Sequence, residues 1–427
     1  MKPLQVFEHE RLTTSPDALG RKLTVSQYEK LCQFNDQNEN KYFTVIRNGI
    51  KFSQYVGVIQ LGKLTIEILP KVDQSAVNKN NFNAQVATWQ KVLMRMLANI
   101  GELELEAVSE AGLKKRNNLI DLYFNIYLKE LDKLLHQGLV KKYRQTDSNV
   151  KALKGRLNFA QHIQHNLIHQ ERFFTTHQQY DHTHLINQIL LKGLNILETI
   201  ATDSFVSEKV KQLKCLFPEM PEVAITRESF ARVRLSRKTA SYERALHIAR
   251  MIILNYSPDI TKGDEHMLAL LFDMNKLWEK YIYKKLKAAE NEHLKVHYQD
   301  SARFWENKHI YPDIVLKHRG NVGTVAELPS TEWETTIIDT KWKLISAGNP
   351  SDNDLKQMYV YNMYWQSARS ILLYPAHGNN TDSPYGKFHR GKDGGNHCKL
   401  AFVSVLDGQG ALNTNIASEI LGKITDK

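Results

Sequence analysis

The sequence is poor in cysteine and contains no apolar run approaching the length of a bilayer span. Its three cysteines, Cys32, Cys215 and Cys398, lie far apart. That spacing excludes a zinc module built on cysteine and suits a reducing compartment, so a cytoplasmic location without membrane attachment is expected. The opening stretch MKPLQVFEHERLTT lacks the apolar core of a secretory leader. Internal repeats and extended low-complexity tracts are missing too, which sets aside solenoids and fibres. What remains is a 427-residue chain with 42% hydrophobic and 24% charged residues, long enough for two or three globular domains. Acid is short relative to base, leaving a net charge of +11. A basic surface favours polyanions, which puts nucleic acid first among partners; an idle solvated surface is the plainer alternative.

The fold class expected is mixed, α+β in its parts. Residues 1–80 are β-rich: FTVIRNGIKFSQYVGVIQLGKLTIEILPKV holds short β-branched runs punctuated at Asn48-Gly49 and Leu61-Gly62. Residues 81–260 are mainly helical, with apolar residues three and four apart in AQVATWQKVLMRMLANI, LIDLYFNIYLKELDKLLHQGL, LINQILLKGLNILETI and SYERALHIARMIILNY. Strand-like interruptions fall near Arg144–Leu157 and Glu171–Gln179. After the turn-rich SPDITKGDE, residues 261–427 read as one long helix from Glu265 to about Ala289, then strands at Ile310–Leu316 and Thr335–Ile345. A helix at Asp352–Arg369, strands at Ile371–Tyr374 and Leu400–Leu406, and a terminal helix complete an α/β core.

Two motifs bear on chemistry. GVIQLGKLT imitates a phosphate-binding loop, but Leu64 stands where a magnesium-binding hydroxyl is needed and TIEIL alternates like a strand. A β-hairpin is the better reading, and no nucleotide is expected on this chain. In TTIIDTKWKLI, residues two apart share a strand face, so Asp339 and Lys341 project together. The sequence contains its own controls. Asp354-Leu355-Lys356 has the same acid-x-Lys spacing in a helix, where positions two apart diverge, and Glu306-Asn307-Lys308 lies in a polar turn. In HIYPDIVL, Pro312-Asp313 opens a strand able to pair with that of Asp339. Two carboxylates on neighbouring strands suit Mg²⁺, with Mn²⁺ as an alternative, and Lys341 suits a developing phosphate charge. A surface ion pair between strands is the competing reading. Glu279, on a helix apolar on both sides, is a further metal or water contact or a partnered structural glutamate. Gln357 and Tyr361, four apart on one helix face, support the site, touch a DNA backbone, or pack.

Asp313, Asp339-Thr340-Lys341 and Gln357-x-x-x-Tyr361 resemble the PD-(D/E)xK nucleases, including their Q-x-x-x-Y branch. GVIQLGKLTIEILPKV, LKGRLNF, the D-x-x-x-x-x-N-Q-x-L run from Asp181 to Leu190, and DMNKLWEKYI narrow the resemblance to the McrC family, over about residues 40–375. The resemblance implies a restriction-endonuclease-like core with Asp313, Asp339 and Lys341 catalytic and the two aspartates holding the metal. It also implies the nuclease subunit of a modification-dependent restriction system acting on double-stranded DNA with modified cytosine. The implied partner is a hexameric McrB-like AAA+ GTPase, docked by the N-terminal region and stimulated by it. The connection through Val325–Glu334 and the loop His377–His397 are longer than the family pattern.

Other clusters are weighed lightly. His162, His165, His169, His177, His182 and His184 crowd one stretch, with His165 and His169 four apart, but no carboxylate motif completes a metal site. Basic runs at Lys114–Arg116, Lys141–Arg144 and Arg232–Lys238 could meet phosphate, a partner, or water alone. A stand-alone repair nuclease of RecB type and a nuclease-inactive GTPase-activating adaptor are the rival functions.

Overall fold

The computed structural model describes residues 3–71, 81–101, 119–257, 266–319, 332–345, 349–378, 380–389 and 395–425. Lys114–Arg116, most of SPDITKGDE and most of Val325–Glu334 lie outside these. The fold is mixed α/β with several sheets. Contact groups the chain into two compact units: Met1–Lys2 with Ile59–Thr65 and Glu110–Leu270, and Pro3–Val58 with Ile66–Ser109 and Leu271–Lys427. The N-terminal strands thus fall mainly within the same unit as the C-terminal segment.

The β-rich start comprises β1 (Leu4–Phe7), β2 (Arg11–Thr13), α1 (Val25–Gln37), β3 (Phe43–Ile46), β4 (Gly49–Phe52), β5 (Tyr55–Leu61) and β6 (Leu64–Leu69). β1 runs parallel to β6, with Leu4 opposite Ile66 and Phe7 opposite Leu69. β3 and β4 form a hairpin whose Asn48 takes a positive φ of 56°, as an Asn-Gly turn requires. Lys63 sits in a turn and Leu64 opens a strand, so the phosphate-loop look-alike has no helix to receive an anion. α2 (Phe82–Asn99) follows.

The unit containing Glu110–Leu270 is built on α3 (Leu119–Gln137), with β7 (Lys142–Val150), β8 (Arg156–Leu157), α4 (Phe159–Asn166) and β9 (Phe173–Asp181) after it. Then come α5 (Leu185–Ile200), α6 (Ser204–Leu216), α7 (Arg227–Ala231), α8 (Glu243–Leu254) and β10 (Tyr256–Ser257). Helices α3, α5, α6 and α8 pack on one another, and β9 pairs with both β7 and β8. The short motifs here are joints. Gly155 takes a φ of +66°, and a Cβ on it would lie 2.5 Å from the carbonyl of Thr176. Asp181 holds Arg144 at 3.0 Å, and buried Asn187 donates to the carbonyls of Val140 at 2.9 Å and His182 at 2.8 Å.

The long helix expected over Glu265–Ala289 is instead β11 (Met267–Asp273) and α9 (Met274–Ala288). Periodicity cannot distinguish a short apolar run such as MLALLFD from helix. Tertiary pairing does: Met267 and Leu268 face Ser257 and Tyr256. Asp273 then caps the helix by accepting from the Asn275 N–H. The remaining elements are β12 (Leu294–Tyr298), β13 (Ala302–Trp305), β14 (Lys308–Ile310), β15 (Ile314–His318), β16 (Glu334–Thr340), α10 (Asp352–Tyr364), β17 (Arg369–Pro375), β18 (Gly386–Lys387), β19 (His397–Val403) and α11 (Ile416–Thr425). Their sheet has the order β12-β15-β16-β17-β19-β18, with β16, β17 and β19 parallel. α10 is the crossover from β16 to β17, and its Met358 and Tyr361 pack on Ile337, Leu372 and Leu400. Part of the expected loop His377–His397 thus adds the edge strand β18.

The α3–α5 contact is tight enough to test. Buried Tyr127 donates its hydroxyl to the Leu190 carbonyl at 2.6 Å, and a Cβ at Gly193 would stand 2.5 Å from that hydroxyl. Gly193→Ala should therefore destabilise by about 1–3 kcal/mol despite the better helix propensity of alanine. Urea unfolding at unchanged slope reads the loss; an unaltered midpoint refutes it.

Candidate functional site

Antiparallel pairing of β15 with β16 builds the site. Ile314 faces Ile338, and one step outward Asp313 comes beside Asp339 and Thr340. The Thr340 backbone N–H and its hydroxyl both donate to Asp313 Oδ2, at 2.7 and 2.8 Å. Asp339, 1% exposed, is the next-to-last residue of β16, at the carboxyl end of a strand in a partly parallel sheet. Ligands favour that end in such sheets. Burial pushes Asp313 up to about 6, with Glu279 adding repulsion, and pushes Asp339 up to about 7, with Asp313 adding repulsion. The two carboxyls therefore compete for charge around neutral pH.

Lys341 lies one residue beyond the end of β16, its N–H still bonded to the Leu373 carbonyl at 2.9 Å. The expected strand to Ile345 is thus shorter, yet the alternation persists far enough to bring Lys341 Nζ within 2.6 Å of Asp339 Oδ2. Burial works against the ammonium charge, but Asp339 and its neighbours outweigh it and raise the lysine pKa. Lys341 Nζ also donates to Gln357 Oε1 at 3.3 Å. Gln357 Nε2 donates to the Tyr361 hydroxyl at 2.7 Å, which in turn donates to the Tyr311 carbonyl at 2.8 Å. A chain of hydrogen bonds from α10 thereby reaches the lysine through Gln357 and Tyr361, and Tyr361 also packs in the core.

Glu279, on α9, lies near enough to Asp313 and Asp339 to interact with them electrostatically. Burial raises its pKa, opposed by bonds from Gln299 and Tyr298, with repulsion from Asp339. Gln299 was not legible in the sequence. Its Nε2 donates to Glu279 Oε1 at 2.8 Å and its backbone N–H donates to the Asp313 carbonyl at 3.0 Å. It holds both from a left-handed φ of +44°, a strained state for a non-glycine residue.

Asp354 was missed for a different reason. As expected, it does not converge with Lys356, but it reaches the site alone. Its carboxylate lies 3.8 Å from Lys341 Nζ and 2.5 Å from Lys343 Nζ. Burial opposes ionisation there, but the bonds from Lys343 and Ser351 outweigh it and hold the carboxyl below its ordinary range. The Ser-x-x-Asp cap at Ser351 is the only local signal at that position. Trp342, beside the lysine, donates its indole N–H to buried Glu8 at 2.8 Å and tilts against Trp278 with ring centroids 5.2 Å apart. Burial pushes Glu8 up to about 7.

Among the described residues, no group of three or more His, Cys, Asp or Glu side chains is arranged to hold a metal ion. The donor set at the site is two carboxylates, Asp313 and Asp339. Asp339 Oδ2 is buried and, despite the nearby ammonium, accepts no hydrogen bond of normal geometry. Two oxygen-donor carboxyls brought side by side fit a hydrated hard cation. The histidine-rich stretch is scattered: α4 ends at Asn166, so His165 and His169 do not share a helix, and His165 stacks on Phe174 instead. Arg144 is spent on Asp181. Among the described residues, no helix is long and apolar enough to cross a membrane.

Comparison with known proteins gives consistent similarities. The model of the family of McrBC 5-methylcytosine restriction system components matches residues 50–375. The Type IV methyl-directed restriction enzyme EcoKMcrBC of Escherichia coli K12 is 23% identical over 187 residues, 42% of this chain and 53% of the relative. The chain thus spans about half the length of that curated relative. A chain in the refined half-complex of Thermococcus gammatolerans McrB AAA+ hexamers with bound McrC superposes with a TM-score of 0.64 at 18% identity, covering 99% of this chain and all of that one. That likeness is one of fold.

The raised carboxyls have a stability consequence. Between about pH 4 and 7 the folded metal-free chain binds more protons at Asp339 than the unfolded chain does, so this group's contribution falls as pH rises. Asp339→Asn removes that penalty. It should stabilise the metal-free protein at pH 7.5 by on the order of 1–2 kcal/mol, with the difference shrinking at pH 4.5. Thermal melts in EDTA at both pH values test this; equal shifts would mean Asp339 keeps its ordinary pKa.

Proposed function

This chain belongs to the family of McrBC 5-methylcytosine restriction system components, and we propose on that premise that it is the McrC-like nuclease subunit. In this reading it cleaves double-stranded DNA bearing modified cytosine by metal-dependent phosphodiester hydrolysis, partnered with an McrB-like AAA+ GTPase that it stimulates. The convergence of Asp313, Asp339 and Lys341 at one strand end carries the nuclease reading. The partner reading draws on the fold shared with the McrB–McrC assembly.

Bound Mg²⁺, or Mn²⁺ in its place, would neutralise phosphate charge and lower the pKa of a water. Asp313 and Asp339 would hold it, and both must be ionised to do so. The two Thr340 bonds fix the plane of the Asp313 carboxylate. Because its pKa is raised, Lys341 remains an ammonium at neutral pH and is no base. It orients water and stabilises the negative charge that develops on the phosphoryl oxygens. The Gln357–Tyr361–Tyr311 relay aims that ammonium. Bonds from Gln299 and Tyr298 set the orientation of the Glu279 carboxylate beside the aspartates.

In a complex reconstituted with the GTPase, Lys341→Ala and Asp339→Asn should each lower cleavage of modified DNA by about 10²-fold or more while stimulated GTP hydrolysis persists. EDTA should abolish cleavage by the parent chain. Cutting at the parent rate by either variant, or in EDTA, excludes this chemistry.

The β-rich N-terminal region is proposed as the docking element for the GTPase. Glu8 ties that region to Trp342, so its deletion would unfold more than a docking site. A surface change is the better probe. Val45 is 42% exposed on β3, beside the Asn48-Gly49 turn. Val45→Asp should cut GTPase stimulation at least about ten-fold with the melting temperature retained, as is usual for an exposed position. Full stimulation would move the docking site off this hairpin.

A further inference from the structure

We infer that the unit carrying the acid pair has a second nucleic-acid contact: a stacking pocket for an unpaired nucleobase, at the amino-terminal ends of β16 and β17. The inference rests on the DNA reading above for its substrate but uses none of the catalytic residues. A pocket of about 760 Å³ opens there, lined by Lys317, Trp333, Thr336, Tyr364, Trp365 and Arg369 among others. That volume is in the range that takes a nucleotide-sized group.

The lining combines aromatic faces with cations. Trp333 and Tyr364 are 39% and 44% exposed, large rings left open to water. The Arg319 guanidinium lies 4.4 Å from the Trp333 ring centroid and holds it in place. Among the described residues, neither Lys317 nor Arg369 is paired with a carboxylate; Arg369 lies over Tyr385 at 5.4 Å. Glu334 is the acidic member of the lining, so an occupant must turn its negative charge toward Lys317 and Arg369. A base flanked by its own phosphate does that. In a duplex both faces of a base are stacked, so these rings select an unpaired one.

The pocket is also continuous with the catalytic lysine's support. From the Lys341–Gln357–Tyr361 relay the rings continue through Trp365, Tyr364 and Phe304, with centroid separations of 5.8, 6.5 and 5.8 Å. Thr335, also in the lining, is four residues from Asp339 on the same face of that strand, about 13 Å at the usual strand rise. One DNA strand spans that distance. The ring contacts are edge-on or tilted and Tyr361 is core, so the ring surface open to a base is that of Trp333, Tyr364 and Phe304, with Lys317 and Arg369 as the nearby cations, the chemistry of a single-strand contact.

The test uses the full chain carrying Asp339→Asn, in EDTA, titrated with a short oligothymidylate and followed by tryptophan fluorescence. Adding Trp333→Ala should weaken binding about ten-fold, whereas Trp333→Phe should retain most of the affinity, although both remove the contribution of Trp333 to the quench. Lys317→Ala should flatten the salt dependence of binding. A blunt duplex of equal length should bind with no sensitivity to Trp333→Ala. Unchanged oligothymidylate affinity in a folded Trp333→Ala chain overturns the inference. So does loss of self-association or of GTPase binding in that variant with oligothymidylate affinity intact, since the occupant would then be protein. If the reconstituted complex fails to cut DNA but this binding persists, the cleavage reading fails while the pocket stands.

Discussion

The arrangement of this unit depends on one awkward juxtaposition, two carboxyls brought side by side in poor solvent. Burial raises the pKa of both, with Glu279 adding repulsion at Asp313 and Asp313 adding repulsion at Asp339. Nothing local favours that pairing. It is imposed by the register of β15 on β16, where apolar contacts of Ile314, Val315, Ile337 and Ile338 leave no freedom to slip. A shift by one residue would turn the acids to opposite faces. The core packing and the strained electrostatics are thus two aspects of the same pairing, and a bound cation would relieve the repulsion without altering it.

Around that pair the supports run outward through hydrogen bonds and ion pairs. Thr340 holds one acid, Lys341 the other, and α10 supplies Gln357, Tyr361 and Asp354 to steady the lysine. Gln299 bridges Glu279 and the Asp313 backbone at the expense of a left-handed conformation. Strain at such a residue persists only where its surroundings over-determine it, which is how a site is kept within tight geometric limits. Trp342 extends the support to Glu8, a residue from the first strand of the chain, and so ties the lysine's neighbour to the N-terminal region.

Several features were legible before any coordinates because their signals are local. The helices Phe82–Asn99, Leu119–Gln137, Leu185–Ile200 and Glu243–Leu254 follow the three-four spacing, and the Asn48-Gly49 hairpin follows turn chemistry. The D-x-K stretch displayed Asp339 and Lys341 on one face because strand periodicity is two. Met267–Asp273 was misread as helix because a short run that is apolar throughout has no period to read. Asp354 was set aside for its divergence from Lys356. Distance in sequence hid its true partners, Lys341 and Lys343.

What the sequence alone determined, then, is the set of residue types and their local directions: an acid and a lysine projecting together, a second acid opening a strand, and an excess of positive charge. The tertiary structure decided which of these meet. Asp313 joins Asp339 across an antiparallel pair, α10 turns Gln357 toward Lys341, and Glu8 reaches a tryptophan 334 positions away. Local direction follows from backbone dihedrals and is written in neighbouring residues. Proximity across hundreds of positions follows from the burial of a shared core. It exists only once the whole chain has paid the entropy of folding around it.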